Sequence, residues 1–136
     1  KYEATVRFVS PPELTIPKAD LADILSTGCN IVFMETVEEA LSDTDVIYIE
    51  PVVQADYASS RVERTGEVSR TPGRYRINLE KLRKYAKPDA IVLHSLPRMD
   101  ELDTDVDQSE FAAYWDEAEM GIHLRKALLD LILSED

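Results

Sequence analysis

The sequence predicts an α/β fold: a parallel sheet flanked by helices on both faces, with one long loop at its site. Three observations carry this. Four short apolar runs of strand character recur along the chain, with helical segments between them. The resulting order of strand, helix, strand, helix, strand, helix, strand calls for parallel pairing through right-handed crossovers. The polar stretch over residues 50–77 shows no convincing period and is too long for a plain connection.

Each element has a local reason. Residues 4–9 (Ala-Thr-Val-Arg-Phe-Val) form the first strand, which ends at Ser10-Pro11-Pro12. A helix over 19–27 stops at Gly28, because glycine enters the left-handed region without a Cβ penalty. Residues 31–34 form the second strand. Thr36 then caps a short helix reaching residue 42, with Glu39 completing a capping box. The third strand is 46–49. Asn78 caps a helix over 78–86, and Pro88 ends it. The fourth strand is Ala-Ile-Val-Leu at 90–93, followed by a loop and a helical tract from 109 to the end. No internal repeat or low-complexity segment interrupts the pattern.

Composition narrows the function classes. A chain of 136 residues is one domain with enough length for a real core. Its net charge of −12 argues against nucleic acid and against anionic membrane surfaces as partners, and solubility is the plain reading of that charge. Cys29 is the only cysteine, which rules out an internal disulfide and fits a reducing, cytoplasmic compartment. No apolar run reaches membrane-spanning length, and the first residues lack the pattern of a signal peptide. The chain opens almost directly on a strand, as a domain cut from something longer would.

Topology points to a site. In an open parallel sheet, ligands bind beyond the carboxyl ends of the strands. The loops after the first, third and fourth strands open on one edge, and they carry Ser10-Pro11-Pro12, residues 50–54 and residues 94–98. The most informative is His-Ser-Leu-Pro-Arg-Met-Asp-Glu at 94–101, an irregular polar loop straight after a buried strand. Within 60–76, Arg61, Arg64, Arg70, Arg74 and Arg76 stand against Glu63 and Glu67. Such a positive excess on an acidic chain suits an anionic ligand, since guanidinium groups grip carboxylate and phosphate in pairs of hydrogen bonds. Solvated arginines paired with surface acids are the plain alternative. Near the C-terminus, Phe111, Tyr114, Trp115, Ala118 and Ile122 recur at helical spacing, Leu124, Leu128, Leu131 and Ile132 continue the stripe, and Leu129 and Leu133 widen the apolar arc. A helix apolar over so much of its surface wants burial on more than one side, and alone this chain leaves that face exposed.

The 94–101 loop, with Leu102-Asp103-Thr104-Asp105-Val106-Asp107 after it, closely resembles the aspartate carbamoyltransferase signature. That signature reads His-Pro-Leu-Pro-Arg-x-Asp-Glu, continued by Thr-Asp-Val-Asp. Residues 113–129, with Gly121-Ile122-His123-Leu124-Arg125, resemble that family's closing helices, and Val9-Ser10-Pro11 and Asp45-Val46-Ile47-Tyr48 resemble its early strands. The likeness covers the whole chain but only the second half of the family's Rossmann-like fold. It implies that residues 1–136 are the amino-acid-binding domain, and that the N-terminal carbamoyl phosphate domain with its Ser-Thr-Arg-Thr loop is absent from this chain. Ornithine enzymes normally show His-Cys-Leu-Pro here, so Ser95 and Arg98-Met99-Asp100-Glu101 resemble the aspartate branch.

The resemblance also implies substrates, assembly and residue roles. Carbamoyl phosphate and L-aspartate are the substrates, complete chains form a homotrimer, and no metal, cofactor or covalent intermediate is used. Rate comes from orientation and electrostatic stabilisation. Ser95 and Leu96 present backbone carbonyls to the carbamoyl amide, and Pro97 fixes the turn. Arg98 counts among the substrate-binding charges, and with Asp100 and Glu101 it positions rather than reacts. Histidines titrate near neutrality, which makes His94 a tempting general base. Yet it sits at a strand end, and the family's catalytic histidine belongs to the other domain. The sequence departs from the family after the third strand, where Thr-Arg-x-Gln is usual and Glu50-Pro51-Val52-Val53-Gln54 stands. With a one-residue insertion Gln54 takes the glutamine's place, Val52 the arginine's, and Asp56 the family's acidic position. Without it, Pro51 and Val53 stand at the arginine and glutamine. Either way a carboxylate clamp is missing, and Arg61 first, then Arg64, are the candidates to replace it. A relative acting on another amine and a non-catalytic scaffold are the competing readings.

Overall fold

The computed structural model describes residues 4–51 and 71–134. Strand β1 (Thr5–Phe8) pairs in parallel with β2 (Asn30–Phe33), Thr5 opposite Asn30 and Phe8 opposite Phe33. Strand β3 (Val46–Ile49) pairs in parallel with β4 (Ile91–His94), Val46 opposite Ile91 and Ile49 opposite His94. The α/β class and the parallel pairing are as the sequence predicts. Among the described residues, however, no ladder joins the two pairs, and side chains bridge the seam instead. Arg7 on β1 donates to the Asp43 carbonyl at 2.6 Å and to Thr44 Oγ1 at 2.9 Å, in the turn before β3.

The helix ends follow local chemistry. Helix α1 (Lys18–Ser26) is left through Gly28, whose φ is +79° and whose N–H donates to the Leu25 carbonyl at 3.0 Å. Helix α2 (Val37–Leu41) starts where Thr36 Oγ1 accepts from the Glu39 N–H at 3.2 Å. Helix α3 (Leu79–Tyr85) starts where Asn78 Oδ1 accepts from the Lys81 N–H at 2.9 Å. Lys81 ties the two helices together, its Nζ lying 2.9 Å from Glu38 Oε1.

The core gathers around the second strand pair. Leu82, Val92, Val106 and Tyr114 are 0% exposed, and Leu41, Ile47, Ile49, Leu102 and Phe111 pack with them. Burying a side chain such as Leu82 contributes about 1.5–3 kcal/mol. Helix α1, by contrast, buries none of its residues.

Two expectations need correction. The helical tract predicted from residue 109 begins only at α4 (Tyr114–Leu133). Before it, a 3₁₀ turn spans Thr104–Val106, and the chain then passes through turns to a single parallel bridge between Ala112 and Val92 on β4. Val92 N–H donates to the Phe111 carbonyl at 2.8 Å, and Ala113 N–H donates to the Val92 carbonyl at 3.0 Å. Phe111 and Tyr114, three apart, read as a helical stripe, but the Phe111 carbonyl and the Ala113 N–H go to β4 and not to a helix. The polar stretch over 50–77 is likewise ordered where it is described. Gly73–Tyr75 form a 3₁₀ turn, and Ile77 pairs with Leu102, its N–H donating to the Glu101 carbonyl at 2.8 Å.

The far half of α4 stands exposed, as its composition predicts. Met120, Ile122, Leu124, Leu128, Leu129, Leu131, Ile132 and Leu133 are all open, Leu131 at 78%. Among the described residues, no helix is long and apolar enough to cross a membrane.

Candidate active site

Because Ile49 lies opposite His94, Glu50 and Ser95 leave the sheet side by side. Ser95 Oγ donates to Glu50 Oε2 at 3.0 Å. The loop beyond them is built around a buried pair. His94 and Glu101 are 1% and 0% exposed. The Leu96 N–H donates to His94 Nδ1 at 2.9 Å, which leaves the ring proton on Nε2. That proton is donated to Glu101 Oε1 at 2.7 Å. Glu101 also accepts from the Met99 N–H, at 2.9 Å through Oε1 and 3.2 Å through Oε2. The pair therefore grips the loop at Leu96 and at Met99 and brackets Pro97 between them.

This grip explains an unusual backbone. Leu96 has φ +46°, a left-handed conformation that costs a non-glycine residue about 1–2 kcal/mol. The hydrogen bond to His94 and the buried pair hold it there. The Leu96–Pro97 bond is cis. Both ring nitrogens of His94 are occupied and out of reach of solvent, so the imidazole is a strut and is not available as a base.

The acidic run after Pro97 is a set of fasteners. Asp100 accepts from the Thr71 N–H at 3.0 Å and from Thr71 Oγ1 at 2.7 Å. Burial pushes the Asp100 carboxyl up, the Thr71 hydrogen bonds outweigh it, and the group rests below its ordinary value. Asp103 Oδ1 takes Arg76 at 2.6 Å. Asp105 accepts from the Leu79 N–H, at the start of α3, at 3.2 Å. Asp107 receives both arms of Arg98, the second at 2.7 Å, and the Tyr114 hydroxyl at 2.7 Å. The Arg98 hydrogen bonds, opposed by burial, hold Asp107 below the usual carboxylate range, and Asp107 in turn holds Arg98 above its ordinary value. Burial, then the hydrogen bond to Asp107, push Tyr114 up to about 12.

These contacts sort the predicted site residues. Ser95, Leu96, Pro97, Asp100 and Glu101 come together on one loop. Arg98 joins them, with both arms of its guanidinium on Asp107 in this arrangement. Gln54, Asp56, Arg61 and Arg64 lie outside the described residues, as does Arg70. Of the five arginines of 60–76, the two described are engaged locally, Arg74 lying 4.8 Å from the Tyr75 ring centroid and Arg76 on Asp103. Sequence reasoning passed over Glu50, Thr71, Asp107, Tyr114 and Glu117. The last accepts the His94 N–H through Oε2 at 2.9 Å. The signal for part of this was the alternation of acids at 101, 103, 105 and 107, whose carboxylates take partners on the chain around them.

Comparison with known proteins agrees with this geometry. Residues 1–132 match the family described as aspartate/ornithine carbamoyltransferase, Asp/Orn binding domain. The aspartate carbamoyltransferase catalytic subunit of Methanopyrus kandleri is 33% identical over 132 residues, which are 97% of this chain and 41% of that protein. That of Pyrobaculum arsenaticum is 37% identical over 129 residues, 94% of this chain and 40% of that protein. The chain thus spans about two-fifths of these curated relatives. Among solved structures, aspartate transcarbamoylase from Trypanosoma cruzi in complex with aspartate and phosphate superposes with a TM-score of 0.71 at 29% identity. The superposition covers 92% of this chain and 37% of that one. The same enzyme in complex with carbamoyl phosphate gives a TM-score of 0.68 at 28% identity over 92% of this chain and 36% of that one. With 132 of its 136 residues inside one family's match, this chain belongs to the aspartate/ornithine carbamoyltransferase family and carries its Asp/Orn-binding domain.

Proposed function

We propose that this chain is the amino-acid-binding half of an aspartate carbamoyltransferase. The complete enzyme moves the carbamoyl group of carbamoyl phosphate to L-aspartate, giving N-carbamoyl-L-aspartate and phosphate for pyrimidine synthesis. The observation that carries the reading is the 94–101 loop, locked by a buried His94–Glu101 pair at the tips of β3 and β4. It is supported by relatives named aspartate carbamoyltransferase, and by a similar enzyme solved with aspartate and with carbamoyl phosphate.

The chemistry suits such a loop. The deprotonated amine of aspartate attacks the carbamoyl carbon, a C–N bond forms, and the C–O bond to phosphate breaks. Phosphate leaves with the electron pair, and the attacking nitrogen gives up a proton to the departing phosphate. No group on the enzyme need react, so positioning and electrostatics dominate. In this reading the Ser95 and Leu96 carbonyls accept hydrogen bonds from the carbamoyl amide, and Pro97 sets their direction. Gln54, with Arg61 or Arg64, holds the amino acid, Asp56 orients that segment, and Arg98, Asp100 and Glu101 hold the loop. The N-terminal carbamoyl phosphate domain completes the site, and complete chains act as a cytoplasmic homotrimer without cofactor or metal.

One observation favours a second reading. Glu50-Pro51-Val52-Val53-Gln54 lacks the arginine usual after β3, which suits a different amine as acceptor. The test is product analysis on the complete protein with carbamoyl phosphate and, in turn, L-aspartate, L-ornithine and other amines. N-carbamoyl-L-aspartate as the main product supports the first reading. Transfer only to another amine supports the second, and transfer to none overturns both.

A further inference from the structure

Val92 and His94 stand two apart on β4, so their backbone N–H groups face the same neighbour. On that side lies the segment 111–113, which pairs with β4 through a single parallel bridge at Ala112. It takes the Val92 N–H on the Phe111 carbonyl at 2.8 Å and returns the Ala113 N–H to the Val92 carbonyl at 3.0 Å. A continuing strand would next offer a carbonyl to the His94 N–H. The chain instead turns into α4 at Tyr114, and its backbone carbonyls point into the helix. Glu117, in the first turn of α4, fills the gap: its Oε2 accepts the His94 N–H at 2.9 Å. A carboxylate thus stands in for a missing strand at the last residue before the site loop. The same first turn reaches the far side of the loop, because Tyr114 holds Asp107, which holds Arg98.

We propose that Glu117 is a positioning residue for carbamoyl transfer. By holding the His94 amide it sets the direction in which the chain leaves β4, and so where the Ser95 and Leu96 carbonyls lie. Its role in turnover rests on the proposed function, in which those carbonyls receive the carbamoyl amide. The acceptor oxygen is what matters, and the negative charge is secondary. Glutamine at this position keeps such an oxygen, and alanine does not.

The experiment compares the complete protein with its Glu117→Gln and Glu117→Ala variants. Hydrogen–deuterium exchange is read on peptides spanning 92–99, and kcat and both KM values are measured. Glu117→Ala should speed exchange at His94 by about tenfold or more and raise the KM for carbamoyl phosphate by about tenfold. The KM for aspartate should move less than about threefold, and Glu117→Gln should restore both quantities to within about threefold of the parent. Parent-like exchange and kinetics in Glu117→Ala overturn the proposal, as does a Glu117→Gln variant as impaired as alanine. A deficit confined to thermal stability, with exchange at His94 and both KM values unchanged, also overturns it. If the parent protein carbamoylates nothing, the proposed function fails by itself. Exchange at His94 still decides whether Glu117 holds the amide.

Discussion

Replacing Tyr114 with phenylalanine tests the fastener that holds Arg98. Tyr114 is 0% exposed, and its hydroxyl donates to Asp107 Oδ1 at 2.7 Å. Burial, then that hydrogen bond, hold the phenol up to about 12 against an ordinary value of 10.0. The unfolded phenol ionises near pH 10 while the folded one stays neutral, so its stabilisation is complete below pH 10. It weakens above that and is gone once the pH has risen through about 12. The whole gap is worth about 2–3 kcal/mol, and about 1.4 kcal/mol of it is lost by pH 11. At pH 8 the Tyr114→Phe variant should be less stable by about 1 kcal/mol, the net value of one hydrogen bond. Urea unfolding of the complete protein and the variant, at pH 8, 9, 10 and 11, reads the difference. The other tyrosines are common to both and cancel. The parent's advantage should shrink to about zero near pH 11 and reverse above it. A difference that stays constant from pH 8 to pH 11 would refute the reasoning.

The same contacts set two other outcomes, and the sequence after β3 sets a third. Glu101→Ala leaves the buried His94 Nε2–H without an acceptor and frees the Met99 N–H, and should cost about 2–5 kcal/mol in urea unfolding. Glu101→Gln, which keeps Oε1 for both donors, should cost about 1 kcal/mol. Asp100 has a lowered carboxyl, so its stabilisation is present above the ordinary carboxylate range near pH 4 and lost as the pH falls through the lowered value. Asp100→Ala should therefore flatten the acid side of the stability profile and speed amide exchange at Thr71. Arg61→Ala or Arg64→Ala should lower kcat/KM for the amino-acid substrate by about a hundredfold if either replaces the missing clamp. Exposed ion pairs alone, worth no more than about 1 kcal/mol, would leave it within about fivefold of the parent.

The parts of this fold that are legible in the sequence are those decided locally. Thr36 and Asn78 cap helices because a side-chain oxygen three residues back meets a free N–H, and Gly28 leaves α1 because only its own φ matters. Strands β3 and β4 are legible as apolar runs, and their parallel pairing follows from the helices between them. The bridge of segment 111–113 to β4 is not, because Phe111 and Tyr114 satisfy helical spacing equally well. Only the open side of β4 selects the bridge. Arg98 is not legible as a holder of the loop for a similar reason. Its partner lies nine residues on, and the 3₁₀ turn at Thr104–Val106 lies between them. The strand-end position of His94 argues against a base, yet its true role needs Glu101, Leu96 and Glu117 at once, a constellation that no linear spacing displays. Nor is it legible that, among the described residues, the strands pair two and two, with the Arg7 side chain meeting the turn before β3.

The central claim is that the loop locked by His94 and Glu101 presents the Ser95 and Leu96 carbonyls to the carbamoyl group. A crystal structure of the complete protein with carbamoyl phosphate tests it most directly. The carbamoyl nitrogen should lie within hydrogen-bond distance, about 2.7–3.2 Å, of both carbonyl oxygens. The His94–Glu101 pair should keep its present arrangement. Carbamoyl phosphate bound elsewhere, or bound with its amide on other groups and these two carbonyls turned away, would contradict the claim.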